Sequence, residues 1–167
     1  MRASAYIGID IGTTSVKCMA ADQNGKQLAL SSKAYKSESP YSGWVEQDPE
    51  DWIDAVSNTV RDICRRLKDY QIKAVSFSGH MSSPVFLDAD NKPLRKCITV
   101  ADTRSFRQSR YLTENFSEDF ARASGNYPYD CFIAAKLLWL KEEELDIYDK
   151  TSTFVCAKDY VRYRLTG

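Results

Sequence analysis

The sequence predicts an α/β domain, on three observations. It opens with three apolar, alternating segments, at 5–11, 15–21 and 27–35, joined by tight turns, which is the pattern of an antiparallel meander. A capped amphipathic helix follows from Asp48. From residue 72 onward short apolar runs mix with helical periodicity, and strands alternating with helices mark the α/β class.

Each element has its own warrant. Ala-Tyr-Ile-Gly-Ile-Asp-Ile at 5–11 is rich in β-branched residues and ends at Gly12-Thr13-Thr14. Asp22-Gln23-Asn24-Gly25-Lys26 is a hairpin turn with Gly25 free to take a positive φ. A loop holding Pro40, Gly43 and Trp44 leads to Asp48-Pro49-Glu50-Asp51. These supply a helix cap, a Pro at the first helical position and acids at the positive end of the dipole. Trp52, Val56, Val60, Ile63 and Leu67 then recur at helical spacing. Residues 72–78 read as a strand closed by Gly79. Residues 84–88 and 94–100 flank the turn Asp88–Pro93 and predict a second hairpin. Helices are predicted at 103–114, 116–124 and 130–144, the last with Ile133, Lys136, Leu137 and Leu140 on one side. A short strand at 153–156 and a helix at 157–166 finish the chain.

The 167 residues suit one domain of ~100–200 residues. Lys plus Arg number 23 and Asp plus Glu number 23, so no global field draws nucleic acid or an anionic membrane, and neither partner is expected. The five cysteines, Cys18, Cys64, Cys97, Cys131 and Cys156, are widely spaced and contain no C-x-x-C, which argues against a disulfide framework or a zinc site. No h-region with a cleavage site opens the sequence, and no apolar run of about 20 residues exists, so neither a signal peptide nor a membrane helix is expected. A cytoplasmic location is the resulting expectation.

The chemistry concentrates in Gly8-Ile9-Asp10-Ile11-Gly12-Thr13-Thr14-Ser15-Val16-Lys17. A turn of Gly and hydroxyl residues presents N–H and O–H groups to anionic oxygens, and Gly12 lets the backbone come close. Asp10 would repel a bare phosphate, so its presence points to a bridging Mg²⁺. The parts suit nucleotide phosphates with a metal, although no G-x-x-x-x-G-K-[ST] loop is present. The bland alternative is a hairpin whose Asp10 merely caps its turn.

Residues 7–17 resemble the first phosphate motif of the FGGY carbohydrate kinases. Gly43-Trp44-Val45-Glu46-Gln47-Asp48-Pro49-Glu50-Asp51-Trp52 resembles that family's W-x-E-Q-D-P-x-x-W segment. Ser78-Gly79-His80-Met81 resembles S-G-Q-M, and Asp102-Thr103-Arg104 resembles D-x-R. Lys136-Leu-Leu-Trp-Leu140 and the segment from Lys158 to Gly167 complete six motifs in the family's order.

The resemblance implies an RNase H-like domain of the actin, heat-shock ATPase and sugar kinase superfamily, with a mixed central sheet flanked by helices. Residues 1–167 would form most of the N-terminal domain. The implied reaction moves the γ-phosphoryl of ATP to a sugar hydroxyl, on a pentulose or related sugar, with Mg²⁺. Asp10 is implied as the metal residue. Gly12, Thr13, Thr14, Ser15 and Lys17 are implied at the phosphates. His80, Met81, Ser82 and Asp102 are implied at the sugar. In xylulose kinase-like members a Met-His pair follows Gly-Gln, and Trp-Asn precedes D-x-R; here Met81-Ser82 and Val100-Ala101 stand instead. These departures leave the sugar open and keep in view a second reading, a non-catalytic sugar- or nucleotide-binding module. The family's base is an Asp expected beyond residue 167, as is the C-terminal domain, so 167 residues by themselves are expected to be inactive. A homodimer is an expectation for a full-length protein only. Several residues have bland readings: His80 as a satisfied structural imidazole, Trp44 as a cover for the core edge, Trp139 as core, and Lys141-Glu142-Glu143-Glu144 as a solvated helix end.

Overall fold

The computed structural model describes residues 2–167. In chain order the strands are β1 (Ala3–Ile11), β2 (Ser15–Ala21), β3 (Gln27–Ala34), β4 (Glu46–Gln47), β5 (Tyr70–Gly79), β6 (Pro84–Leu87), β7 (Cys97–Ile98) and β8 (Thr153–Cys156). The helices are α1 (Pro49–Arg66), α2 (Phe106–Ser124), α3 (Ile133–Glu143), α4 (Leu145–Lys150) and α5 (Ala157–Thr166). These elements form two compact units. The first holds the residues up to Lys36, Asp48–His80 and Ala157–Gly167; the second holds Ser37–Gln47 and Met81–Cys156.

The first unit is built on a four-stranded mixed sheet of order β3-β2-β1-β5. β1 and β2 are antiparallel, with Asp10 opposite Lys17, and β1 and β5 are parallel, with Asp10 beside Ser78. The period of two sorts the faces. Ala5, Ile7, Ile9 and Ile11 of β1, with Val16, Cys18 and Ala20 of β2, are buried on one side. α1 covers that side at β2 and β3 through Trp52, Ala55, Val56 and Ile63, and α5 lies against β5, β1 and α1. Each fully buried large side chain of this set contributes about 1.5–3 kcal/mol. The start of α1 follows the expectation: Asp48 is extended (φ −78°, ψ 121°), its Oδ1 accepts from the Glu50 amide at 2.9 Å, and Pro49 follows.

The second unit carries two short antiparallel pairs, β4 with β7 and β6 with β8. Its core joins Phe86, Ile98, Trp139 and Leu140, with Trp44, Leu137, Ile147 and Tyr148 packed around them.

Several elements differ from the sequence reading. The turn at 88–93 forms: Asp88 Oδ1 accepts from the amides of Asp90 and Lys92 at 2.9 Å each, and Leu94 N donates to Phe86 O at 2.9 Å. The predicted hairpin goes no further than a Leu87–Pro93 bridge and this Leu94 bond; β6 pairs with β8 and β7 with β4 instead. The predicted helices at 103–114 and 116–124 are one helix, α2, which starts at Phe106 and is closed by Gly125 in the left-handed conformation (φ 69°). β4 and α4 have no counterpart in the prediction. Two and six residues are too short for either periodicity to register. The Lys141–Glu144 stretch is more than a solvated end: Glu142 accepts from Gln108 at 2.7 Å and Glu144 from Arg95 at 2.6 Å.

Candidate functional site

The first unit gathers the residues expected at the phosphates around one tight turn. β1 and β2 reverse over Gly12, Thr13 and Thr14, with the Gly12 amide donating to Ser15 O at 3.1 Å. A Cβ on Gly12 would sit 3.1 Å from Ser15 O and 3.8 Å from Asp10 Oδ2, so a side chain there would crowd the turn. Thr13 and Thr14 are exposed at its tip, and Ser15 is half-buried. Alternation puts Asp10 on the face opposite Ile9 and Ile11, exposed, with Lys17 and Ser78 in register on either side. A groove of about 340 Å³ runs along this face, lined by Gly8, Asp10, Lys17, Met19, Ser76 and Ser78 among others.

Tyr35 is a further member that the sequence reading missed. Just past β3, its amide donates to Thr14 O at 3.3 Å, and its phenol donates to Gly12 O. The turn is thus tied at two carbonyls by one residue. Burial, and after it the Asp10 carboxylate, push the Tyr35 phenol well above its ordinary pKa, so it stays a donor. Counting register outward from the Asp22–Lys26 turn would put residue 34 opposite Thr14; the register shift between Ala20 and Ala21 moves Tyr35 there instead, and nothing local in the sequence announces that shift.

His80 stands at the end of β5. Its amide donates to Ile11 O at 2.8 Å, extending the β1–β5 ladder, and its buried ring meets Trp52 edge-on, with centroids 5.3 Å apart.

The second unit holds Met81, Ser82 and Asp102. Met81 is exposed and Ser82 is buried, with φ at +52°, a conformation that costs a non-glycine residue about 1–3 kcal/mol. Ser83 Oγ accepts from the Val100 amide at 3.0 Å and donates to Met81 O at 3.1 Å, joining this loop to the segment before Asp102. Asp102 is buried and its carboxylate is fully engaged. Oδ1 accepts from the Arg104 amide and Nε, each at 2.9 Å, and Oδ2 accepts from the Val45 amide at 2.6 Å and Arg104 Nη2 at 2.7 Å. The Arg104 guanidinium also pairs with Glu46 at 2.8 Å and stacks 3.6 Å over Trp44 and 4.9 Å from Trp139. Asp102 therefore organises a buried charge cluster, and Trp44 and Trp139 form its aromatic walls.

The sequence pattern of the FGGY family of carbohydrate kinases, N-terminal domain, matches residues 5–167. The chain belongs to this family. It is 37% identical over 163 residues to a xylulose kinase of Bacillus subtilis, covering 96% of this chain and 33% of that protein. It is 31% identical over 159 residues to a gluconokinase of the same organism, covering 95% and 31%. A solved gluconate kinase from Lactobacillus acidophilus superposes with a TM-score of 0.92 at 30% identity, over 97% of this chain and 33% of that one. The fold of this FGGY chain is that of the sugar kinases in the actin and heat-shock ATPase superfamily, with a mixed sheet and flanking helices. The chain spans about a third of the length of the curated relatives it matches. No helix among the described residues is long and apolar enough to cross a membrane.

Proposed function

We propose that this chain supplies the phosphate loop and part of the sugar wall of a carbohydrate kinase that transfers the γ-phosphoryl of ATP to a hydroxyl of a pentulose or related sugar, in the cytoplasm. The observation that carries the reading is the Gly12–Ser15 turn, with the exposed Asp10 and Lys17 directly opposite each other beside it. Phosphoryl transfer leaves little covalent work to a protein, so positioning and charge are what such a site must provide. The exposed hydroxyls of Thr13 and Thr14 suit phosphate oxygens, and the Lys17 ammonium suits their charge.

A single exposed carboxylate fits Mg²⁺, which keeps several waters and takes one or two carboxylates plus substrate phosphates; Asp10 would hold it. When bound, it would neutralise charge on the phosphates. Asp102, with every acceptor site occupied, serves the sugar side by fixing the backbone from Val45 to Arg104. Met81, exposed, and His80 and Ser82 remain the residues of that side proposed to face the sugar.

The test is a coupled assay on the full-length gene product with ATP, Mg²⁺ and a panel of ketoses, aldonates and polyols. At least one sugar is phosphorylated, and Asp10→Asn, which changes an exposed side chain, lowers kcat/KM at least 100-fold with the melting temperature retained. If no sugar is turned over and none stabilises the protein, the kinase reading falls.

A further inference from the structure

Among the described residues, Lys136 is a fully buried cation that the phosphate-transfer site does not use. Its ammonium donates to three backbone carbonyls from three separate stretches of chain: Ser82 O at 2.6 Å, Thr99 O at 2.7 Å and Cys131 O at 3.2 Å. An ammonium has three donors, and here each has an acceptor. The first stretch is the Met81–Ser83 loop, strained at Ser82. The second leads through Val100 to Asp102, whose amide returns to Thr99 O at 3.2 Å. The third opens α3.

A lysine is a costly way to fill a core. A buried charge is retained only with compensation, and a Leu at this place on α3 would continue the apolar face of Ala135, Trp139 and Leu140. What a Leu would not provide is three donors converging on three carbonyls that lie outside any strand or helix. Ser83 Oγ makes the parallel tie from the same loop to Val100.

We infer that Lys136 is the positioning residue of the sugar side: its ammonium clamps Ser82 and Thr99 so that the 81–83 loop and the Val100–Asp102 segment keep one arrangement for the acceptor. This rests on the kinase reading, since it names what orders that reading's acceptor wall. The groups facing the ammonium fit the role. Burial pushes Lys136 down to about 8, Cys97, Asp102 and Cys131 favour its charged form, and Arg104 opposes it. A neutral amine has two N–H groups for three carbonyls, so the clamp loosens above that pH.

The experiment compares Lys136→Met with Leu140→Ala in the full-length gene product. Leu140 lies one turn away on α3 in the core, so its truncation destabilises the same helix without touching the three carbonyls. Two readouts are taken: steady-state KM for sugar and ATP, and amide hydrogen exchange at Val100 and Asp102 without any substrate. Lys136→Met raises the sugar KM at least tenfold, keeps the ATP KM within twofold, and speeds exchange at both amides at least tenfold. Leu140→Ala lowers the melting temperature and leaves the sugar KM and the two amides near wild type. In the wild type the sugar KM rises as pH passes through about 8, which tests the clamp even if Lys136→Met does not fold. An unchanged sugar KM in folded Lys136→Met, or an equal rise in Leu140→Ala, or a sugar KM flat through pH 8, overturns the inference. If no sugar is a substrate, the kinase reading fails separately, and wild-type exchange at the two amides in Lys136→Met overturns the clamp without it.

Discussion

Replacing Asp102 with Asn keeps the side-chain volume and removes one charge from a place with almost no solvent, where the Asp102 and Arg104 side chains are 0% and 1% exposed. Each carboxylate oxygen accepts two donors. Whichever oxygen becomes the amide nitrogen, two donors lose their acceptor and face a third donor. Breaking one side of a buried ion pair costs roughly 3–5 kcal/mol. Arg104 retains Glu46 at 2.8 Å and the face of Trp44, which places the loss near the lower end, about 3 kcal/mol. For a chain of this size each kcal/mol moves the melting temperature by about 2–4 °C, so Asp102→Asn lowers it by roughly 6–12 °C. Thermal and urea unfolding of the purified chain, followed by tryptophan fluorescence, reads this directly, because Trp44 and Trp139 flank the guanidinium. Asp119→Asn, at a 70% exposed side chain, is the control and moves stability by under about 0.5 kcal/mol. A loss in Asp102→Asn of less than about 1 kcal/mol, the scale of an exposed pair, would refute the organising role assigned to this carboxylate.

Three more outcomes are expected. Tyr35→Phe removes the phenol bond to Gly12 O and keeps the backbone bond to Thr14 O, so the strand register survives; a hydrogen bond worth about 0.5–1.5 kcal/mol raises the nucleotide KM of the full-length product about 2- to 10-fold, with the sugar KM unchanged. Gly43→Ala forces a side chain into a left-handed position (φ +79°) with its Cβ 2.6 Å from Thr103 Oγ1, which costs about 1–3 kcal/mol in urea unfolding, and adding Thr103→Ala recovers only the contact part. Burial alone would raise the Glu50 carboxyl, but hydrogen bonds from Arg164 and Tyr160 leave it lowered. Its stabilisation is therefore present above about pH 4.3 and is lost as pH falls through the folded value, so Glu50→Gln is less stable at neutral pH by under about 1 kcal/mol and converges with wild type in acid titrations of melting temperature.

The parts legible in the sequence are those set by near neighbours. Alternation through Ile7, Ile9 and Ile11 fixes the faces of β1, and the Asp48-Pro49 signature fixes the start of α1 within a residue. The Asp10–Lys17 pairing follows from the short turn between them. What was not legible depends on distant partners. Nothing local announces that β7 pairs with β4, or that Phe86 lies opposite Phe154. The Arg104 stack on Trp44 and the triple grip of Lys136 join residues about 40 to 60 positions apart in most of their contacts, and nothing in the Asp102-Thr103-Arg104 motif announces the bond from the Val45 amide. Lys136 did leave a trace: a lone charge inside Ile133-Ala-Ala-Lys-Leu-Leu-Trp-Leu, on the side of the helix that faces the core.

The two units are threaded through each other along the chain. Asp48–His80 belongs to the first unit yet lies between the two pieces of the second, and Ala157–Gly167 returns to the first after Cys156. A ribosome delivers these pieces in an order that neither unit can follow to completion alone. The β1–β2–β3 meander can form soon after it emerges, since its contacts are local. α5 reaches β1 and β5 only after the whole second unit has been made, and β4 waits some fifty residues for β7. Long closures add little to the free energy but slow the search, so each unit closes late, and in the second the half-made core of Phe86 and Ile98 needs protection until Trp139 arrives.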